Sequence, residues 1–448
     1  MKTIRIGGGA GYAGDRIEPA LDLIRRGRLD YIIFECLAER TIALAQKDKL
    51  QDETKGYNPL LDYRMEKVIP LLKAHPVKVI TNMGAAHPKA AARRIADIAA
   101  KNGLTGLKIA AVEGDDILPA IEGNLKLEIM ETGEKLETLR EKIVSANAYM
   151  GGRAIAEALA DGADIVVTGR VADPSLVTGP LAYEFGKSWE DYDFLGKATV
   201  AGHLLECAGQ VTGGYYADPG KKDVPDLWNL GFPILTFRDD GTIELEKLPG
   251  TGGLLNTHTV KEQLLYEIQN PASYFTPDVV ADFSSIRVEQ IGTDQVRVTG
   301  ATGRARTGTL KVSVGYRDGW IGTGEISYGG RNCAARGMLA REILEHRFAE
   351  QYEDQPEEMR YDLIGMNSLY QGALAAGTEL AEVRLRAAAR TARKDQAERI
   401  GKEVEALYTN GPAGGGGVRS SVTEVISVAS VLVSEDTVQP TISWFGGE

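Results

Sequence analysis

The chain has 448 residues and a formal net charge of -12, with 43% hydrophobic and 25% charged residues. The length predicts two or three domains of roughly 100–200 residues each, and the ordinary hydrophobic content excludes a disordered chain. The acidic balance argues against nucleic acid as a partner, because phosphate binding needs clustered Lys and Arg. It leaves room for a local pocket that binds an anionic small molecule.

The cysteines and the N-terminal segment indicate in which cellular compartment the protein is expected. Cys36, Cys207 and Cys333 are widely separated and lack CxxC spacing, so neither a disulfide framework nor a structural zinc site is expected. The N-terminal residues reach glycine without the apolar h-region of a signal peptide, and no run is long and apolar enough to span a bilayer. We therefore expect a soluble, cytoplasmic protein with no membrane partner.

The first half of the chain alternates short apolar runs with amphipathic segments, which predicts a mostly parallel, helix-covered sheet. The second half has period-two strands and then helices, which predicts an α+β domain with antiparallel strands. We place the boundary near residue 280, giving an α/β ligand-binding domain with glycine-rich loops at 1–280 and an α+β domain at 281–448. The predicted strands are 3–6, 29–35, 77–82, 107–112, 164–168, 285–289, 296–298 and 310–314, and the predicted helices are 17–26, 63–74, 88–102, 153–159, 334–348 and 396–407.

The first motif has the form GxGxxG, with Gly9, Gly11 and Gly14 after the first strand. Glu35 ends the next strand, where a dinucleotide fold has the acid that binds the ribose. Against a dinucleotide, Asp15 follows the last glycine and can cap the N–H groups that a pyrophosphate needs. The motif thus leaves a dinucleotide, another anionic ligand, or a tight turn without ligand open, and an anionic ligand is favoured.

Polar residues follow the third and fourth predicted strands, at the edge where open α/β sheets bind ligands. Asn82 can donate and accept a hydrogen bond to a substrate, whereas His87, just before a proline, is more simply the start of the next helix. Asp115, in an acidic cluster, is either a base or cation ligand or a helix-capping acid.

A second group of polar residues flanks the strand at 164–168. Asn147 precedes it, and Arg170 and Asp173 follow it. Arg170 is a forked donor suited to a carboxylate or phosphate, and a salt bridge to Asp173 is its structural alternative. The two roles of Arg170 are compatible.

The best candidate for acid–base or nucleophilic chemistry lies at 202–210. If this stretch is helical, Glu206 and Cys207 share a face with His203 at spacings of three and four. These residue types move protons or attack carbonyl carbons. The structural alternative is a packed helix with a buried cysteine.

Two further glycine-rich loops can line a binding site with backbone N–H groups. One contains Gly252 and Gly253, where an anion-binding nest and an ordinary turn are about equally expected. The other contains Gly415 and Gly416 among four consecutive glycines. Neither loop is a P-loop, because GxxxxGK[ST] is absent from the sequence.

Segments along nearly the whole chain resemble the acyclic terpene utilisation AtuA family, long described as a domain of unknown function. The resemblance implies a bacterial-type catabolic protein that acts on branched or unusual carboxylic acids and their CoA thioesters. Longer members carry an additional C-terminal domain of roughly a hundred residues, and we predict that a small companion subunit supplies it here. The segments that carry the resemblance are 7–16, 34–39, 147–149, 162–173, 202–214, 250–253, 259–267 and 410–417.

The resulting expectation is a catabolic enzyme of lyase/hydratase or hydrolase type that acts on a carboxylic acid or acyl-CoA thioester. Glycine loops and Arg170 are expected to bind the substrate, and His203, Glu206 or Asp115 to move the proton. The alternatives are an NAD-dependent oxidoreductase and a non-catalytic subunit of a two-component enzyme. The sequence requires no cofactor and leaves a divalent metal open. A homo-oligomer is expected only because large catabolic α/β proteins are often symmetric oligomers.

Overall fold

The computed structural model describes residues 2–370 and 380–447. Its helices are α1 (Glu18–Arg26), α2 (Glu39–Gln51), α3 (Leu61–Leu72), α4 (Pro88–Lys101), α5 (Leu118–Glu122), α6 (Arg153–Ala160), α7 (Ser175–Glu184), α8 (Tyr192–Glu206), α9 (Thr257–Leu265), α10 (Cys333–Gln351) and α11 (Lys394–Asn410). Its strands are β1 (Thr3–Ala10), β2 (Tyr31–Phe34), β3 (Lys78–Thr81), β4 (Lys108–Glu113), β5 (Ile143–Ala148), β6 (Ile165–Thr168), β7 (Pro233–Arg238), β8 (Ile243–Lys247), β9 (Tyr274–Phe275), β10 (Val280–Asp282), β11 (Arg287–Gly292), β12 (Gln295–Thr299), β13 (Thr302–Arg304), β14 (Thr309–Gly329), β15 (Glu358–Ile364), β16 (Glu382–Thr391), β17 (Gly416–Ser434) and β18 (Thr441–Gly446).

The parallel strands β1, β2, β3, β6 and β4 lie side by side at the centre of a mixed sheet. Every residue of β2 and β6 is buried, which explains why both strands read as continuous apolar runs. Within β2, Ile32 packs in the core formed with α1, α3 and α4. The adjacent Tyr31 has its hydroxyl bonded to Glu184 of α7, 2.6 Å away. Because adjacent strand residues point to opposite faces, helices cover both faces, and the predicted α/β class is confirmed.

Antiparallel strands extend this sheet at both edges. β7 pairs with β1, and β8, β12 and β11 follow outward, while β18 pairs with β4 at the other edge. The predicted strands at 285–298 are therefore β11 and β12 of the large sheet and not the start of a second domain. In β12 the period-two pattern matches one buried and one more exposed face, with Val296 and Val298 buried. The pattern contains no information on the partner strand.

The chain divides into two compact units, Met1–Gly315 with Val428–Glu448, and Tyr316–Ser427. This division differs from the predicted boundary at 280, because β11, β12 and β18 belong to the large sheet.

The unit 316–427 contains a separate antiparallel sheet with the order β15-β16-β14-β17. The helices α10 and α11, both predicted, pack their apolar residues on that sheet, for example Leu344 and Val404 against Leu385. Within residues 2–370 and 380–447, no helix combines the length and the apolar character needed to cross a lipid bilayer.

The glycine-rich turn after β1 packs tightly against the end of α8. A Cβ atom on Gly11 would lie 2.2 Å from the carbonyl carbon of Cys207 and 2.7 Å from the backbone nitrogen of Ala208. Both contacts are with backbone, which cannot rotate away, so only glycine fits at position 11. The turn is also fixed from α3, where the buried Arg64 donates to the carbonyl oxygen of Asp15 at 2.9 Å.

We expect Gly11→Ala to lower the free energy of unfolding by roughly 1–3 kcal/mol, the usual cost of overpacking. The matched control is Gly14→Ala, because a Cβ atom there meets only the exposed side chain of Tyr12. We expect the control to stay within about 0.5 kcal/mol of the wild type. Urea denaturation followed by circular dichroism measures both values, and equal stability of the two variants would contradict the packing argument.

Candidate active site

The carboxyl ends of the parallel strands bring three of the predicted residues together, as expected for an open α/β sheet. Asn82, after β3, donates from Nδ2 to Glu35 Oε1, after β2, at 2.9 Å. Its Oδ1 accepts from the backbone N–H of Cys36 at 2.7 Å. Arg170, after β6, is close enough that its charge lowers the pKa of Glu35, against the stronger effects of burial and Asp173.

Arg170 does not have the free fork that the sequence predicted for a substrate carboxylate. Its side chain is 1% exposed, and its N–H groups donate to the carbonyl oxygens of Leu37 and Val171 and to Asp173. The guanidinium carbon lies 4.5 Å from the centre of the Tyr149 ring. The salt bridge to Asp173, the structural alternative, is present, and binding of a substrate carboxylate by Arg170 stays a prediction.

Asp115 and Asn147 position the turn that carries Arg170. Asp115 Oδ2 accepts from the Arg170 backbone N–H at 3.0 Å and from Asn147 Nδ2 at 2.8 Å. Asn147 Oδ1 accepts in turn from Gln46 at 3.2 Å. Burial raises the pKa of Asp115 to about 6. These contacts give both residues a structural role, and the catalytic role of Asp115 stays a prediction.

His203 and Glu206 form a buried pair on α8, which is helical here as the spacing required. His203 Nδ1 lies 2.8 Å from Glu206 Oε1, and Nε2 lies 2.8 Å from the carbonyl oxygen of Gln263. A carbonyl oxygen only accepts, so Nε2 must carry a hydrogen. One further proton then lies between Nδ1 and Oε1, and the pair is either imidazolium–carboxylate or imidazole–carboxylic acid.

The surroundings of this pair bring its titration close to neutral pH. Burial, outweighing the nearby His203, raises the pKa of Glu206 to about 7, and Asp173 and Glu267 add to the increase. Burial is the largest single effect and disfavours the charged imidazole, but Glu206, Gln263 and Glu267 together raise the pKa of His203 above its ordinary value. Glu206 Oε2 is buried and has no hydrogen-bond partner in the part of the chain that the structure describes. Perturbed groups of this kind are typical of catalytic sites.

Cys207 does not have the properties of the nucleophile that the sequence predicted. Burial and the adjacent Glu206 raise the pKa of its thiol above the ordinary value. A thiol attacks as the thiolate, so the neutral thiol of Cys207 is poorly suited to nucleophilic catalysis at neutral pH.

A further cluster at the same site includes residues that the motif analysis missed. The Tyr149 hydroxyl donates to Glu39 Oε1 at 2.5 Å, and Lys311 Nζ donates to the same oxygen at 3.1 Å. Burial acts to raise the pKa of Glu39, but these donors lower it to about 2. Tyr149 and Glu39 lie in segments that carry the family resemblance, whereas no local signal identifies Lys311.

The glycine motif after β1 differs from a dinucleotide site. Asp15 Oδ2 accepts from the Gly11 N–H at 3.0 Å, and α1 begins only at Glu18, four residues after Gly14. Gly9 lies inside β1, with a Cβ position 2.9 Å from the Ile33 carbonyl oxygen. Gly9 and Gly11 therefore serve close packing, and the helix N-terminus that a pyrophosphate uses is displaced from the motif.

The glycine loops at 252–253 and 415–416 make contacts within their own units. The N–H groups of Gly252 and Gly253 donate to the carbonyl oxygens of Asn229 and Pro225, each at 2.8 Å, as in the ordinary turn that the sequence leaves open beside an anion nest. Gly415 and Gly416 lie in the unit 316–427, where Gly415 packs beside Tyr328. His87 precedes α4 as expected and lies 3.1 Å from the Lys55 carbonyl oxygen.

Comparison with known proteins places this site in a family. The family model described as "Acyclic terpene utilisation family protein AtuA" matches residues 4–444. The chain belongs to the AtuA family. A search of curated proteins found no match, and a search of solved structures found none either. AtuA membership is consistent with a catabolic role, and among the described residues of this AtuA protein no group of three or more His, Cys, Asp or Glu side chains is arranged to hold a metal ion.

The raised pKa of Asp115 predicts a pH dependence of stability. A carboxyl group with an unfolded pKa of 3.8 and a folded pKa of about 6 stabilises the fold when protonated. That contribution is complete below about pH 4 and is lost as the pH rises through about 6. We expect Asp115→Asn to lack this loss, so that the variant gains roughly 2–3 kcal/mol relative to the wild type between pH 4 and pH 7. Urea unfolding of both proteins between pH 4 and pH 7 measures this difference in stability. A difference that stays constant with pH would show that the Asp115 carboxyl does not titrate in this range.

Proposed function

We propose that this AtuA-family protein is a catabolic enzyme of lyase/hydratase type that moves a proton at the carbon next to the carbonyl group of an acyl thioester. The observation that carries the proposal is the buried His203–Glu206 pair, 2.8 Å apart, with Glu206 Oε2 left without a partner. A carboxylate held by an imidazole, with a pKa near the working pH, is suited to general acid–base catalysis.

The balance of charge favours a thioester over a free carboxylate as the reacting group. Burial raises the pKa of both Glu35 and Glu206, and Asp173 adds to the increase in each. The fully buried Arg170 is already bonded to protein groups. A free carboxylate would add a negative charge beside these groups without a free cation to receive it. A thioester carbonyl is neutral and accepts hydrogen bonds, so it suits this environment.

The reaction type follows from the groups available. Hydrolysis through a covalent intermediate would need an activated nucleophile, and the thiol of Cys207 is held neutral by burial and Glu206. NAD-dependent oxidation is disfavoured because Asp15 occupies the Gly11 N–H that a pyrophosphate would use. Proton abstraction by Glu206 needs only groups that this site provides. The homo-oligomer and the companion subunit stay predictions, which native mass spectrometry of the full chain can test.

We expect the wild-type protein to exchange the hydrogens next to the carbonyl of a branched acyl thioester with deuterium from D2O. The probes are isovaleryl-CoA and 3-hydroxyisovaleryl-CoA, and NMR spectroscopy measures the exchange. Glu206→Gln and His203→Gln should each slow it by about 10²- to 10⁴-fold, the usual contribution of a general base. In the wild type the rate should rise with pH through about 7, the pKa of Glu206, and this rise should disappear in Glu206→Gln.

The matched control is His346→Gln. His346 and Glu350 form an exposed pair of the same residue types on α10, 3.6 Å apart, so losing it should leave exchange at the wild-type rate. Wild-type rates in both His203→Gln and Glu206→Gln would remove these residues from the mechanism. Absence of exchange with both thioesters in the wild type would contradict the proposed reaction.

A further inference from the structure

A cavity of about 480 Å³ lies between α2 and β5, beside the loops that precede α4 and follow β4. Its volume is within the range of small-molecule sites, roughly 300–1,000 Å³. All its lining residues belong to the unit that contains the large sheet, and neither His203 nor Glu206 is among them. This α2–β5 cavity is therefore a candidate binding site in addition to the one that contains the His203–Glu206 pair.

The hydroxyl group of Ser145 lines the α2–β5 cavity without a partner. Ser145 lies in β5 and is 2% exposed. Its Oγ makes no hydrogen bond to any other group in residues 2–370 and 380–447. Buried polar groups are nearly always hydrogen-bonded, because leaving one unpaired costs free energy. A polar group inside the cavity is the partner that this hydroxyl lacks.

Three acceptors line the same cavity. His87 Nδ1 lies 3.1 Å from the Lys55 carbonyl oxygen, which only accepts, so Nδ1 carries the hydrogen and Nε2 of the neutral imidazole accepts. Gln46 Nε2 donates to Asp116 Oδ2 at 3.1 Å and to Asn147 Oδ1 at 3.2 Å. Its Oε1 and His87 Nε2 have no partner in the described part of the chain. With the Asp116 carboxylate, these atoms match the three N–H donors of an ammonium group.

Lys49 provides the cavity with a cation that no carboxylate neutralises. Its Nζ donates to the Ala86 carbonyl oxygen at 2.8 Å, and among the described residues it forms no salt bridge. Two of its three N–H groups are therefore left for a ligand. Together with the Ser145 hydroxyl they form a set of donors suited to a carboxylate.

The charges along the cavity select a ligand that carries both signs. Asp116 and Glu53 are negative, whereas Lys49 is positive. A simple anion would lie beside two carboxylates, and a simple cation would leave Lys49 unpaired. A zwitterion pairs with both signs. Leu118 and Val144 add apolar surface to the lining, which suits an apolar side chain on the ligand.

We propose that the α2–β5 cavity binds a free α-amino acid with an apolar side chain. The ammonium group of the ligand donates to His87 Nε2, Gln46 Oε1 and the Asp116 carboxylate. The carboxylate of the ligand accepts from Lys49 Nζ and Ser145 Oγ. This binding site is independent of the proposed function, because none of these residues takes part in the proton transfer assigned to Glu206.

Isothermal titration calorimetry of the full chain separates these contacts without any catalytic assay. The probes are L-leucine, 4-methylpentanoate, which lacks the ammonium group, and 3-methylbutylamine, which lacks the carboxylate. L-leucine should bind about 10-fold or more tightly than either analogue, because each analogue leaves one set of polar groups unpaired. Equal affinity for all three probes, or no binding of L-leucine at about 10 mM, would overturn the proposal.

A lysine variant tests which group receives the carboxylate. Lys49→Met keeps an unbranched side chain but removes the charge, so it should bind L-leucine about 10-fold more weakly. It should also bind L-leucine and 3-methylbutylamine equally, because the ligand carboxylate no longer has its cation. The matched control is Lys101→Met, an exposed lysine at the end of α4 outside the cavity lining, which should keep the wild-type affinities.

Ser145→Ala supplies a variant that loses no hydrogen bond of the folded chain. It should unfold at the same urea concentration as the wild type and bind L-leucine about 2- to 10-fold more weakly, the usual effect of one hydrogen bond. Wild-type affinity for L-leucine in both Ser145→Ala and Lys49→Met would place the ligand outside this cavity and overturn the proposal.

Discussion

The arrangement of this site depends on the contact between two stretches of backbone, the turn at Gly11 and the end of α8 at Cys207. A Cβ atom at position 11 would lie 2.2 Å from the carbonyl carbon of Cys207, so the two segments of backbone are too close together for any side chain at position 11. This contact brings a helix C-terminus to the carboxyl edge of a parallel sheet, where loops and not helix ends usually supply the functional groups. Glu206 is the last residue of α8, so this contact fixes the end of the helix that carries Glu206.

Sequence reasoning worked where the physical signal was local. The buried strands β2 and β6 were found because a strand covered on both faces is apolar at every position, and the His203–Glu206 pair because a spacing of three places two side chains on one helix face. The pair is also recognisable as a candidate for proton transfer, because both side chains can gain and lose a proton. The pair is buried beside aromatic residues that are distant in the sequence, such as Tyr274 and Phe283. The local sequence around His203 therefore does not predict its burial.

The failures have a common physical cause. Lys311 donates to Glu39 across 272 residues, and strands 285–298 join a sheet begun at residue 3, so both depend on tertiary pairing that a local pattern does not encode. The glycine loops were misjudged for a related reason. A glycine is required equally by a ligand and by a close backbone contact, and at Gly11 and Gly252 the contact is with the protein itself.

The hydrogen bond from His203 Nε2 to Gln263 restricts the path that a proton can take. Nε2 donates its hydrogen to a carbonyl oxygen, which cannot accept a transferred proton at neutral pH. The imidazole therefore cannot take up a hydrogen at Nδ1 and release another from Nε2. A hydrogen taken from a bound molecule can leave only by Glu206 Oε2, the atom through which it arrived. While the molecule covers that oxygen, the same hydrogen can return to the face of the reacting carbon from which it was taken, and this internal return competes with loss to the solvent.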